Sequence, residues 1–151
     1  MPDKAPAFTL TSDEDKPVSL ADFAGKRVLL FFFPKAGTSG CTEQACGFRD
    51  SFPEIKEAGA VVIGLSPDSP AALARWKTKE KLPYILLSDP DHNVAEAYGV
   101  WGEKSMYGRK YFGIIRSHFV IDAKGNIEDA QRKVSPKVSI EKGVRTLTGK
   151  P

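Results

Sequence analysis

The sequence is poor in the residues that build metal sites and disulfide frameworks: it holds only Cys41, Cys46, His92 and His118 of these types. Two thiols are too few for a stapled scaffold or a cysteine-only zinc site, and neither histidine lies at helical spacing from a cysteine, so a metal site is the weaker reading. An excess of one charge is also missing. With 22 basic against 19 acidic side chains the net charge is +3, which disfavours a nucleic-acid partner whose phosphates would have to be neutralised. No apolar run approaches the roughly 20 residues that span a bilayer, so no membrane partner is expected and the chain reads as soluble. The start, Met1-Pro-Asp-Lys-Ala-Pro6, lacks the basic and apolar regions of a secretion signal, which reads as a cytoplasmic protein.

What is present suits a single domain over residues 1–151, because 151 residues at 41% hydrophobic content supply one core and not two. Phe8 and Leu10, then Val18 and Leu20, flank polar Ser12–Asp15 and predict an N-terminal β-hairpin at a sheet edge. Ala21–Lys26 reads as a short helical turn closed by Gly25, and Arg27–Phe33 as a strand buried on both faces and stopped by Pro34. A helical pattern from about Cys41 to Lys56 places Ala45, Phe48, Phe52 and Ile55 on one face. Strands at Ala60–Leu65 and Tyr84–Leu87 alternate with a helix from Pro70 to about Lys81. Asp91 is the expected cap of a helix that ends at Gly99; Ser117–Ile121 and Asn126–Ala130 form a hairpin, and a last helix runs from Pro136 to Leu147. Gly102–Gly113 has no clear period and reads as a surface loop. The order is α/β: a central mixed sheet flanked by helices.

The chemistry points to the cysteines. A thiol attacks as its thiolate, and the free N–H groups and dipole of a helix N-terminus favour that anion. Cys41 sits at such a start, behind Thr38, Ser39 and Gly40; the two hydroxyls either cap the helix or donate to the sulfur, and spacing alone leaves both open. Cys46 lies five residues on. That spacing advances about 7.5 Å and turns about 140° along a helix, whereas a disulfide needs Cα atoms roughly 4.4–6.8 Å apart. Joining the two would require the helix to unwind, and Cys46 as a small core residue is the competing reading. The spacing also speaks against a dithiol exchanger, which holds its sulfurs within one turn. A copper-binding or redox-sensing domain would need a further soft ligand facing the cysteines.

The run Phe33-Pro-Lys-Ala-Gly-Thr-Ser-Gly-Cys41 resembles the P-x-x-x-[TS]-x-x-C signature of the peroxiredoxins. Its continuation, Cys41-Thr-Glu-Gln-Ala-Cys46, is similar to the bacterioferritin comigratory protein or peroxiredoxin Q branch, as are Tyr98–Lys104 and Tyr107–Asp122. The resemblance implies a thioredoxin-like fold and reduction of hydrogen peroxide and organic hydroperoxides, with no cofactor. By position it implies that Cys41 is the peroxidatic nucleophile, Cys46 the resolving cysteine, Thr38 the residue orienting the peroxide, Pro34 a shield for the thiolate and Arg116 the catalytic arginine. It further implies a Cys41–Cys46 disulfide reduced by thioredoxin or a similar dithiol, and a monomer. Two positions depart from the family pattern: Ser39 replaces a frequent proline, and His118 stands where a small hydroxyl residue is common. His118 reads as a partly buried strand histidine, and Arg49 as a structural or solvent-facing residue.

Overall fold

The computed structural model describes residues 3–149, so Met1-Pro2 and Lys150-Pro151 lie outside it. Its centre is strand β3 (Arg27–Phe32), whose Val28–Phe32 are all buried. Such a run is apolar on both faces because it has neighbours on both edges and helices or loops over both sides. Strands β1 (Thr9–Ser12), β2 (Pro17–Ser19), β4 (Ala60–Ser66), β5 (Ile85–Ser88), β8 (Ser117–Ile121) and β9 (Ile127–Gln131) complete a seven-stranded sheet in the order β2-β1-β5-β4-β3-β8-β9. β3, β4 and β5 are parallel, while β8 is antiparallel to β3 and pairs Phe32 with Ser117. The expected N-terminal hairpin is present as β1 and β2, with β2 at the sheet edge.

Alternation along β3 divides the core. Leu29, Phe31 and Phe33 face one layer built from α1 (Ser39–Asp50), α2 (Phe52–Glu57), α3 (Pro70–Glu80) and α5 (Pro136–Thr148). Val28, Leu30 and Phe32 face a second layer, which includes Val94 and Ala95 of α4 (Asn93–Ala97), Tyr98 and Phe8. Among the described residues no helix is long and apolar enough to cross a membrane.

Three expectations need correction. The helix expected over Cys41–Lys56 is two helices broken at Ser51. Pro53 has no N–H and its ring crowds the carbonyl of residue 49, so it opens a new helix instead of extending the old one. Asp91 does not cap α4: His92 holds the cap position in a left-handed conformation, and the Asp89 carboxylate accepts from the Val94 and Ala95 N–H groups. Gly102–Gly113 is not a loop but lies in a two-stranded hairpin, β6 (Trp101–Met106) with β7 (Arg109–Ile114), turned at Tyr107-Gly108. It stands outside the main sheet and Arg109–Phe112 are exposed, so neither face had to be apolar and no alternation was written into it.

Candidate active site

The end of β3 builds the site. Pro34 closes the strand, and Gly37 takes a positive φ of 84° that turns the chain back into α1. The Ala36 N–H donates to Asp68 Oδ2 at 2.7 Å, and the Ser66 hydroxyl holds the same carboxylate oxygen at 2.8 Å, so the turn is pinned to the end of β4. Thr38 is the backbone N-cap of α1, but its side chain makes no cap hydrogen bond; Oγ1 donates to the Lys35 carbonyl at 2.8 Å. The hydroxyl therefore does neither of the two things spacing had left open. It is exposed and braces the loop.

Cys41 is the third residue of α1 and is 0% exposed, packed beside Phe33 and Ala45. Because β8 runs antiparallel to β3, its first residues lie where β3 ends, which carries Arg116 to the N-terminus of α1. The Arg116 backbone is fixed there, its carbonyl accepting from the Val134 N–H at 2.9 Å. Arg116 Nη2 donates to Cys41 Sγ at 3.4 Å and Nη1 to Gln44 Oε1 at 2.8 Å. Gly40 makes the approach possible: a Cβ there would stand 3.0 Å from Nη2. Pro34 and Arg116 also line an open cleft of about 700 Å³ with Lys104, Ile115 and Lys133. Burial and the Arg116 charge lower the Lys104 ammonium below the ordinary lysine value, with Cys41 opposing.

Cys46 is on the same unbroken helix but not on the same face. Its thiol donates to Glu80 Oε1 at 3.6 Å, at the end of α3. Burial pushes that thiol above its ordinary value; Arg49 opposes and the Glu80 carboxylate adds to the rise. Arg49 donates from Nη1 to the Glu80 carbonyl at 2.7 Å and pairs with Asp50, a structural tie between α1 and α3. The structure thus brings Cys41, Arg116 and Pro34 around one end of β3, with Thr38 at the rim, and holds Cys46 elsewhere. Both cysteines are free thiols.

Three side chains around the site escaped the sequence reading or were misjudged by it. Gln44 is buried, accepts from Arg116 and donates to Ser139 Oγ of α5 at 2.9 Å. Ser139 Oγ lies 2.7 Å from His118 Nδ1. His118 is fully buried, not partly. Gln44 carried a usable signal: it stands three residues after Cys41, on the face that also presents Ala45 and Phe48, and a polar side chain amid apolar ones asks for a partner. Ser139 carried none.

Burial, only partly offset by Asp129 and reinforced by Lys142, depresses His118 to about 4, from 6.5. The unfolded chain then binds a proton below pH 6.5 that the native state refuses, so stability is complete above 6.5 and falls as pH drops toward 4. The contribution is about 2–3 kcal/mol. Urea denaturation at pH 7 and pH 4.5 should show the parent losing that much more than His118→Asn; equal losses would show that His118 does not carry this acid sensitivity.

A model of the AhpC/TSA family matches residues 1–130. The chain is 56% identical over 124 residues to a putative peroxiredoxin bcp of Haemophilus influenzae, covering 82% of this chain and 80% of that protein. It is 54% identical over 126 residues to peroxiredoxin Bcp of Escherichia coli, covering 83% and 81%. Among solved structures it is similar to a bacterioferritin comigratory protein of Xanthomonas campestris described for alkyl peroxide reduction, with a TM-score of 0.88 at 30% identity over 94% of this chain and 90% of that one.

Proposed function

The chain belongs to the AhpC/TSA family, as a peroxiredoxin, and from that premise we propose a thioredoxin-dependent, two-cysteine peroxidase cycle acting on hydrogen peroxide and organic hydroperoxides. The carrying observation is the Arg116 guanidinium donating to the Cys41 sulfur at the first turn of α1. A cation and free helix N–H groups favour the thiolate, and they also face the oxygen on which charge develops as an O–O bond breaks.

In this reading the Cys41 thiolate attacks one peroxide oxygen, the O–O bond breaks, and the leaving hydroxide or alkoxide takes a proton. Cys41 becomes a sulfenic acid. Pro34 screens one side of the sulfur, and Thr38, at the rim, holds the peroxide. Cys46 gives up its thiol proton and attacks the Cys41 sulfur, an S–S bond forms, and the sulfenic oxygen leaves as water. Because α1 runs unbroken through both residues, its first turns must unwind for this step. A dithiol then attacks the disulfide and restores both thiols; thioredoxin fits because the cycle consumes two thiols per turnover. The cycle closes within one chain, which suits a monomer, and it needs the reducing conditions of the cytoplasm. The two core layers share one sheet, which supports a single domain over 1–151.

The test is intact and peptide mass spectrometry of reduced protein after one equivalent of hydrogen peroxide, with and without a sulfenic-acid trap. A prompt loss of two hydrogens mapping to a Cys41–Cys46 link, intercepted at Cys41 by the trap, is the expected result. An unreactive Cys41 would overturn the reading.

Gly40→Ala gives a finer check. The added methyl would meet Arg116 Nη2 at 3.0 Å, so the guanidinium must shift and its contact with Cys41 lengthens. Stopped-flow rates for reduced protein with peroxide should fall about 3- to 10-fold, without loss of fold. An unchanged rate would mean that the position of Arg116 is not critical to the first step.

A further inference from the structure

The polar side chains behind Arg116 form a line that the cycle above does not use. Gln44, Ser139 and His118 come from α1, α5 and β8, and each is 0% exposed. Burying three polar groups where those elements meet is costly unless every one is partnered, and an apolar contact would have joined the elements as well.

Their chemistry fixes the direction of the first two bonds. A guanidinium only donates, so Gln44 must offer Oε1 to Arg116 Nη1 and therefore turns Nε2 toward Ser139 Oγ. The Ser139 oxygen accepts that bond and keeps its single hydroxyl proton to donate; the line is completed when that proton goes to His118 Nδ1, 2.7 Å away. Nδ1 is then an acceptor, and the ring is neutral with its proton on Nε2. The surroundings agree. Nε2 is buried with no hydrogen-bond partner among the described residues; Asp129 of β9 lies 4.0 Å away, Lys142 of α5 opposes a positive ring, and α1 presents the edge-on ring of Phe48.

We propose that Ser139 and His118 are positioning residues for the reaction at Cys41, holding the Arg116 guanidinium in its donating orientation through a one-way hydrogen-bond chain over Gln44. The proposal rests on the reading that Arg116 serves Cys41. His118 is the chain's terminal acceptor: without it the Ser139 hydroxyl has no reason to present its lone pair to Gln44, the amide is free to turn, and Arg116 loses one of its two side-chain partners. The guanidinium is the member that reaches the open cleft, so a change made at the buried end is felt at the sulfur.

A double-mutant cycle tests this, reading the single-turnover rate of reduced protein with hydrogen peroxide for Ser139→Ala, Arg116→Ala and the pair. Ser139→Ala should slow the rate about tenfold and Arg116→Ala about a hundredfold or more, with the pair within about twofold of Arg116→Ala alone. His118→Leu should behave as Ser139→Ala, whereas His118→Asn, which keeps an acceptor near the Nδ1 position, should retain most of the rate. An unaffected Ser139→Ala, or a tenfold loss that persists in the Arg116→Ala background, would overturn the proposal, since the effect would then not pass through the arginine. An unaffected Arg116→Ala would instead remove the underlying role of Arg116, and the proposal with it.

Discussion

Cys41→Ser should abolish peroxide consumption, with a loss on the order of 10⁴-fold or more in a thioredoxin-coupled assay. The replacement is nearly isosteric and keeps a hydrogen-bonding atom for Arg116 Nη2, so it changes the reacting atom and little else. That atom decides the chemistry. A thiolate sulfur is polarisable and able to accept an oxygen atom; a serine hydroxyl has no corresponding oxidised state. Neither of the flanking hydroxyls, Thr38 and Ser39, substitutes for it, for the same reason. Turnover above about one hundredth of the parent rate, in a variant whose urea denaturation is otherwise normal, would place the chemistry somewhere else.

Cys46→Ser should separate the two halves of the cycle. The first step, measured as a single turnover, should stay within about threefold of the parent, because Cys46 faces Glu80 and not Arg116. Steady-state turnover with thioredoxin should fall on the order of 100-fold. The cause is burial: Cys41 is 0% exposed, so a sulfenic acid formed there is out of reach of another protein's thiol unless the chain itself delivers the sulfur as a disulfide. Left waiting, the sulfenic acid should take a second oxygen from excess peroxide and accumulate as sulfinic acid, visible by mass. Undiminished turnover in this variant would mean that the external thiol reaches Cys41 directly and that Cys46 is not the resolving residue.

The fold was legible where burial imposed a period. Val28–Phe33, Ala60–Leu65 and the Phe119–Ile121 run of β8 announce themselves because strands with neighbours on both sides are apolar over most of their length. The β6–β7 hairpin was illegible because solvent reaches most of β7, leaving no pattern to read. The break at Ser51 was legible in principle, since Pro53 states it, and was overridden by an apolar face that continues through Ile55. For the site, the signature located Cys41, Thr38 and Pro34 through local sequence. Arg116 is 75 residues from Cys41, and only resemblance singled it out; physically it arrives through the antiparallel register of β8 on β3, which no local pattern encodes. Gln44, Ser139 and His118 meet only in three dimensions.

The side of α1 that carries Cys46 is tied to the α3–β5 region by two aromatic groups as well as by Glu80. Trp76 donates from Nε1 to Thr42 Oγ1 at 3.3 Å while its ring packs on Phe33, and the Tyr84 hydroxyl donates to the Ala45 carbonyl at 2.6 Å. Unwinding the segment between Cys41 and Cys46 must release Thr42 and Ala45 together, so the indole loses its hydrogen-bond acceptor in the same event that frees the second thiol. The molecule therefore carries its own optical reporter. Emission from Trp76 should change when the disulfide forms and return when it is reduced, with Trp101, stacked on His92 in the outer hairpin, as a steady background. The order of oxidation and rearrangement becomes a matter of watching intrinsic fluorescence in unlabelled protein.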